Sequence, residues 1–563
     1  MIEPRMVIST KAGLLKAKAI LSLPAARGSG QEYRLWEMKR KSRSAKWLLL
    51  AAAAFFCGGV AEAETAQDQP QQQQQDQSEK PALSGAEGSV RSTPANPAQA
   101  KPAQEQKPAG EDASATQTPL EKPEVKITPR QAEELFHSVD EILAFDSKHT
   151  GLPIKKPVKR RLTSRDEVVG YLTKHMKDED VKRLQRSELV LKKFGLLPRD
   201  FDLEKLMVSL LREQIAGYYD PKTKTVNLLD WVPIEEQEPV MAHELTHALQ
   251  DQSINLDKWM KKGEKDLGEI KKDPTPEDIE NDEIDTAREA VIEGQAETAM
   301  LEYELAPAGR SIEDSHDLVE SMEAQMSEGT EDSKVFKDSP IFLRESLTFP
   351  YSYGMKFEIA LLQKDGKEKA FADVLANPPH TTRQIMQPET YLTGEKIEPM
   401  RVPEFKRDFR DYTKFDIGAM GEFDVAVLIE QYAGKKLSDR LYPEWRGGYY
   451  YAARQKKDAN APLGLLYVSR WSSAEKAAEF AGIYSQSLKN RYQKLEKIKD
   501  ASSAAAPEEP QERKVELLQG RHAWNTDEGA IVIEQHGDTV LVSESLDAVT
   551  TETLEREVFG GGK

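Results

Sequence analysis

His243, Glu244 and His247 stand in the order H-E-x-x-H within Val240–Gln252, VMAHELTHALQDQ. On an α-helix, residues four apart lie one above the other on the same face, so both imidazoles can reach one small cation. Neutral imidazole is a good ligand for Zn²⁺. Glu244, beside the first histidine, faces the side where a water activated by that cation would stand. There it can take the water's proton as the oxygen attacks a carbonyl carbon. The other reading is a surface helix with incidental histidines. The flanking Val240, Met241, Ala242, Leu245, Ala248 and Leu249 argue against it, because a solvated helix reads polar at such positions. Pro239 suits the first turn of this helix, after the acidic Glu235, Glu236 and Glu238.

The chain that must position these residues has 563 residues and a net charge of −18, room for two to four domains. An acidic chain is a poor partner for nucleic acid and for anionic membrane surfaces. Residues 38–63 read as a secretory signal peptide. Lys39, Arg40, Lys41, Arg43 and Lys46 form a basic start, Trp47–Val60 is a short apolar core, and Ala61-Glu62-Ala63 is a cleavage site. Met38 is then the better start, and residues 1–37 read as an extension produced by start-site choice. The apolar core is too short to span a bilayer comfortably, and the mature chain is expected to have no stable membrane span. The chain's one cysteine, Cys57, follows Phe56 rather than a small residue, so export with cleavage near Ala63, to periplasm or exterior, is preferred over lipidation. Residues 64–126 are rich in Gln, Pro and Ala and predict a disordered linker.

Elements begin near Ile127. Helical spacing runs through Ala132, Leu135, Val139, Ile142 and Leu143, and Pro157–Leu162 is a strand candidate. Ser164-x-x-Glu167 opens a helix to about Met176, and two more helices are expected near 178–194 and 202–215. Gly217–Asp230, GYYDPKTKTVNLLD, reads as a hairpin or edge strand leading into the H-E-x-x-H helix. Residues 257–283 are a charged excursion, read as a solvated helical hairpin, with Thr275-Pro276-Glu277-Asp278 as a helix start. A helix over Ile284–Glu304 carries Glu293 and Glu297 on one face, beside Gly294 and Ala296, which permit close helix approach.

This order resembles the zincin-type peptidases. E-G-x-A at Glu293, following H-E-L-x-H-A-L-Q-D-Q, is similar to exported bacterial proteins of the gluzincin branch. The resemblance covers about 150–400. It implies that Glu293 is the third ligand of one Zn²⁺ per chain, and that the strand at Gly217, Tyr218 and Tyr219 pairs with an extended peptide or protein substrate. It also implies that Glu297 orients a ligand histidine, which would donate its second ring N–H to that carboxylate. The other reading of both acids is a solvent-facing charge. Tyr351-x-x-Gly354 in a helix from Phe349, and Pro378–Leu392, also resemble the family, although Arg383 stands where it has an acid and Gln387 where it has a histidine. Tyr351, Tyr353 or His380 could stabilise an oxyanion; the alternative for the tyrosines is core or groove lining.

From about Phe415 the chain changes character. Phe423–Tyr432 reads as a helix, Gly448–Gln455 and Leu463–Trp471 as paired strands, and a Ser-capped helix follows. A linker spans about 501–512, then a hairpin turns at His536-Gly537-Asp538 before the helix Val549–Val558. The expected fold class is α+β, with a mainly helical zincin-like domain over 127–400, a small sheet with an edge strand, and a C-terminal α+β accessory domain over 401–563. The expected function is that of an exported zinc metallopeptidase. Its rivals are a zincin-fold binding or scaffold protein that cleaves nothing, and a zinc hydrolase acting on a non-peptide bond of the cell envelope.

Overall fold

Thr128 opens the first long helix with a capping box. Its hydroxyl accepts from the Gln131 N–H while the Gln131 side chain accepts from the Thr128 N–H. The helix, α1 (Pro129–Thr150), then buries Leu135, Val139, Ile142 and Leu143 along one stripe. These coordinates are a computed structural model, which describes residues 7–10, 126–168, 178–206, 215–264, 279, 281–312, 334–458, 460–498 and 516–560. The expected signal peptide at 38–63, the linkers at 64–125 and 501–512 and the helix start at Thr275–Asp278 lie outside the described residues.

The fold is α+β, mainly helical, with a C-terminal sheet. A small sheet has the order β1 (Val7–Thr10), β3 (Ile215–Asp220), β4 (Thr225–Leu229), β2 (Lys159–Thr163). β3 and β4 form the expected hairpin, closed by Asp220, whose carboxylate accepts from the Lys222 N–H and the Thr223 hydroxyl. The register β1 adopts on β3 is antiparallel, with Val7 opposite Tyr219 and Ser9 opposite Gly217. β3 was expected at the sheet's edge; here β1 lies along its outer side.

α3 (Ile234–Ile254) follows α2 (Asp178–Phe194) in the chain and carries the H-E-x-x-H motif. It starts at Ile234, so Pro239 lies inside the helix rather than in its first turn. The backbone bond that proline cannot make falls on the carbonyl of the exposed Glu235, where solvent replaces it. α4 (Leu256–Glu264) and α5 (Asn281–Leu305) follow, then α6 (Ile341–Lys367), which begins eight residues before the expected Phe349 and takes Pro350 into its interior. From Met241 to Gln250 every residue of α3 is buried, and α5 is buried from Thr286 to Leu301. Helices enclosed on all sides can carry polar groups only where those groups meet one another.

α5 and α6 cross at two glycines. A Cβ built on Gly294 would fall 2.2 Å from the backbone carbon of Gly354, and one built on Gly354 would fall 2.1 Å from the carbonyl oxygen of Ala290. No side chain fits between these backbones, so the crossing distance is set by the absence of one.

The C-terminal part contains seven strands, β5 (Tyr412–Ala419), β6 (Trp445–Gln455), β7 (Gly464–Trp471), β8 (Leu495–Lys497), β9 (Gly520–Thr526), β10 (Gly529–His536) and β11 (Thr539–Glu544), in the antiparallel order β5-β6-β7-β11-β10-β9-β8. The expected pairs β6/β7 and β10/β11 are present; β5, β8 and β9 were not foreseen. The hydrophobic core runs without a break from the helical part into this sheet. Phe423, on α9 (Glu422–Ala433), lies 4.4 Å from the ring of Phe349. The Pro378–Leu392 stretch forms two short helices, α7 (Thr382–Met386) and α8 (Pro388–Leu392). Arg383 and Gln387 converge on Glu422, at 2.9 and 2.7 Å. Beside them Glu283, just ahead of the ligand-bearing stretch of α5, accepts from the Thr382 N–H at 2.9 Å.

Two predictions follow from these junctions. Gly294→Ala should destabilise the fold by about 1–3 kcal/mol or more, since overpacking against backbone leaves nothing that can rotate away. Chemical denaturation measures it, and a wild-type midpoint would contradict the close crossing. Burial, and then the charge of Asp424, push Glu283 up to about 8 from an ordinary 4.5. A raised carboxyl pKa means that the fold favours the neutral form. Its stabilisation is therefore complete below about 4.5 and is lost as pH rises toward about 8. Glu283→Gln should remove a pH-dependent loss on the order of a few kcal/mol over that range. Denaturation curves of both proteins from pH 5 to 9, running parallel, would count against it.

Candidate metal centre

α3 supplies His243, Glu244 and His247, and α5 supplies Glu293 and Glu297. Because α3 and α5 pack side by side, their facing polar residues meet in the core. Ligand atoms of His243, His247 and Glu293 all lie within 4.8 Å of one another, and all three residues are buried. Glu293 Oε2 stands 3.1 Å from His243 Nε2 and 3.5 Å from His247 Nε2. Among the described residues this is the group that could hold a metal ion. It offers two imidazole nitrogens and one carboxylate oxygen, a donor set suited to a divalent cation.

The electrostatics agree with that chemistry. Burial drives His243 down to about 4, which keeps its imidazole neutral. Burial works to raise Glu293, but His247 and His243 outweigh it and draw the carboxyl down to about 2. Burial likewise works to lower His247, and the charge of Glu293 overrides it and raises it. An ionised carboxylate in the core is thus matched by the rings around it.

Both histidines have a polar group behind them. His243 Nδ1 faces Glu297 Oε1 at 3.6 Å, just beyond hydrogen-bond length. His247 Nδ1 meets Gln250 Oε1 at 2.8 Å. Glu297 therefore stands behind the first histidine, and Gln250, which the sequence reading did not single out, stands behind the second. The signal was available: His247 and Gln250 are three residues apart on one helical face.

β3 approaches α3 directly over the motif. The Tyr219 N–H donates to Glu244 Oε2 at 2.7 Å, and the Tyr219 hydroxyl donates to Asp251 Oδ2 at 2.8 Å. Lys224 pairs with the same Asp251 oxygen at 2.6 Å. A Cβ on Gly217 would lie 3.0 Å from Val240 and 3.8 Å from Glu244 Cγ, so the bare backbone there lets the strand sit close to the helix. Tyr218, next in the strand, is buried.

Tyr351, on α6, stacks near His243 with ring centroids 6.2 Å apart. Burial, then the charges of Glu293, Glu289, Glu297 and Glu244, raise its pKa, so the phenol keeps its proton. Tyr353, two residues on, turns to the other side of α6, against Phe349 with Lys356 over its ring. His380 is exposed ahead of α7, where its N–H donates to Gln384. Of these three, Tyr351 is the one brought to the cluster.

Comparison with known proteins touches a different part of the chain. No curated protein and no solved structure matches it. The family model that matches, described as a domain of unknown function (DUF8575), covers residues 413–556, from β5 into the last described helix, α10 (Ala548–Phe559), and leaves His243, His247 and Glu293 outside the match.

Proposed function

We propose that this chain is an exported, zinc-dependent metallopeptidase of the gluzincin type. The observation that carries the reading is the meeting of His243, His247 and Glu293 in the core, with Glu244 beside the two histidines on α3. The donor set fits the ion. His243 Nε2 and His247 Nε2 face the same Glu293 oxygen at 3.1 and 3.5 Å while His247 Nδ1 is engaged by Gln250, so a cation taken up there would meet two ring nitrogens and a carboxylate. His243, His247 and Glu293 would hold one Zn²⁺. When bound, the ion supplies Lewis-acid activation of a water and of the substrate carbonyl.

The chain's own groups do the rest. Glu244 accepts a proton from the attacking water and passes it to the leaving amine as the C–N bond breaks. The Tyr219 N–H, bonded to Glu244 Oε2, holds that carboxylate in place. Tyr351, kept protonated, is available as a donor to charge developing on the carbonyl oxygen. An extended peptide would add to the outer side of β3, where β1 lies. Signal cleavage after Ala63 removes β1 with the leader and leaves that strand side open. Peptide or protein is thus the proposed substrate and periplasm or exterior the proposed location. No described helix is long and apolar enough to cross a membrane.

Three variants test the roles. Glu244→Gln should keep zinc and lose turnover by about 10²–10⁴-fold, because it retains shape but cannot accept a proton. Glu293→Ala should lose zinc and turnover together. Glu297→Ala should be milder, about 10–100-fold. Elemental analysis and cleavage of peptide and cell-wall libraries, with and without chelator, read all three. Full activity in Glu244→Gln would sink the mechanism. Normal zinc in Glu293→Ala with loss in Glu297→Ala would move the ligand by one helical turn. Release of cell-wall fragments alone would replace the peptidase reading with the non-peptide hydrolase.

A further inference from the structure

Two glutamines connect His247 to a distant part of the fold. Gln250 and Gln295 are both fully buried. Gln295 Nε2 donates to the carbonyls of Ala370 and Phe371, at 2.9 and 3.1 Å. Those carbonyls belong to a π-helical turn, Glu368–Asp373, that follows α6 just past its break at Gly366. Gln250 Nε2 donates to the carbonyl of Ile292 at 3.0 Å and to Gln295 Oε1 at 2.9 Å. Gln250 Oε1 then meets His247 Nδ1 at 2.8 Å.

The direction of this chain is forced. A backbone carbonyl only accepts, so Gln295 must turn its NH₂ toward Ala370 and Phe371 and its oxygen toward Gln250. Gln250 faces the Ile292 carbonyl and the Gln295 oxygen, so it too must present its NH₂ there and its oxygen to His247. His247 Nδ1 must therefore carry a hydrogen. Both amide N–H pairs are used, and every bond points the same way, which lets the links polarise one another. A pair of core amides retained only for packing has no need of a single direction.

We propose that Gln250 and Gln295 are positioning residues for the metal centre: an amide relay that holds His247 with Nδ1 protonated and Nε2 turned to the cation, and that ties its aim to the π turn at Glu368–Asp373. This rests on the zinc reading above and adds to it a residue pair and a structural element outside the ligand helices. π turns within α-helices often mark functional sites; here the turn supplies two acceptors to one amide.

The test uses the purified chain and zinc itself, with affinity measured by competition against a chromophoric chelator. Gln250→Met and Gln295→Met keep length and apolar volume but remove the amide. Gln250→Met should weaken zinc by about 10–100-fold, and Gln295→Met by less, since the direct link to His247 survives. The double variant should be no weaker than Gln250→Met, because the second link acts only through the first. Leu301→Ala, a buried change on α5 away from the relay, should lower stability and leave zinc affinity alone. Nitrogen NMR of the zinc-loaded wild-type chain should find His247 protonated at Nδ1, a reading that needs no variant to fold. Wild-type zinc affinity in Gln250→Met, additive losses in the double variant, or His247 bound through Nδ1 would each overturn the relay. A wild-type chain that binds no zinc would instead overturn the metal reading, and the relay with it.

Discussion

An ionised carboxylate in a protein core is tolerated only when partners replace the water it has lost, since the net cost of an unpaired buried ion is several kcal/mol. Glu293 is that ion here, and much of the helical part is arranged around it. Its partners, His243 and His247, come from the stretch of α3 that is buried throughout, Met241–Gln250, so the three groups must be brought together by helix packing rather than by loops. That requirement explains the neighbouring residue. Gly294 lets α6 lie against the backbone of α5 one residue from the ligand, and Gly354 answers it from the other helix. A side chain at either position would push α6 outward and take Tyr351 away from His243.

The small sheet serves the same centre from the opposite side. Tyr219 is bonded at both ends, its N–H to Glu244 and its hydroxyl to Asp251, two turns of α3 apart. The strand is thereby locked along the helix, and the Glu244 carboxylate is held in a defined orientation. Sites carried on helices and strands hold their geometry more closely than sites on loops. The exposed Lys224 adds to Asp251 a pair that helps anchor the turn.

The C-terminal sheet is joined to the helical part at the stretch where the chain departs from the motif it resembles. Arg383 and Gln387, in place of an acid and a histidine, both bind Glu422 at the start of α9. Burial pushes Glu422 up to about 7 even with these partners pulling the other way, so the junction is a costly one. Its neighbour Glu283 meets Thr382 and leaves no room for a side chain at Gly421. The first turn of α5, which leads to Glu293, is thus held by groups from the C-terminal part. Arg383 and Gln387 are thus both engaged in the junction with this sheet.

Periodicity and motif were enough for α1, α3, α5, the β3/β4 hairpin and the pairs β6/β7 and β10/β11, because helical and strand burial leave 3.6- and two-residue patterns in the chain. H-E-x-x-H placed two imidazoles and a carboxylate within reach of one another on one helix, since that relation is local. The strands β5, β8 and β9 carried no such mark; β5 and β8 are decided by partners well removed in sequence, while β9 pairs with β10 across the turn at Asp527–Glu528. The start of α3 was also decided outside the motif, by a segment whose one missing backbone bond opens to solvent at Glu235. Which histidine Glu297 stands behind, and that Gln295 reaches the Gln250 behind the other, depends on the rotation of α5 against α3. Rotation about a helix axis is set by packing with every neighbour, and the glycine pair Gly294 and Gly354 fixes only how closely α6 approaches α5. Residue types alone determined that a cation could be bound; only the crossing of the helices decided which carboxylate would meet it.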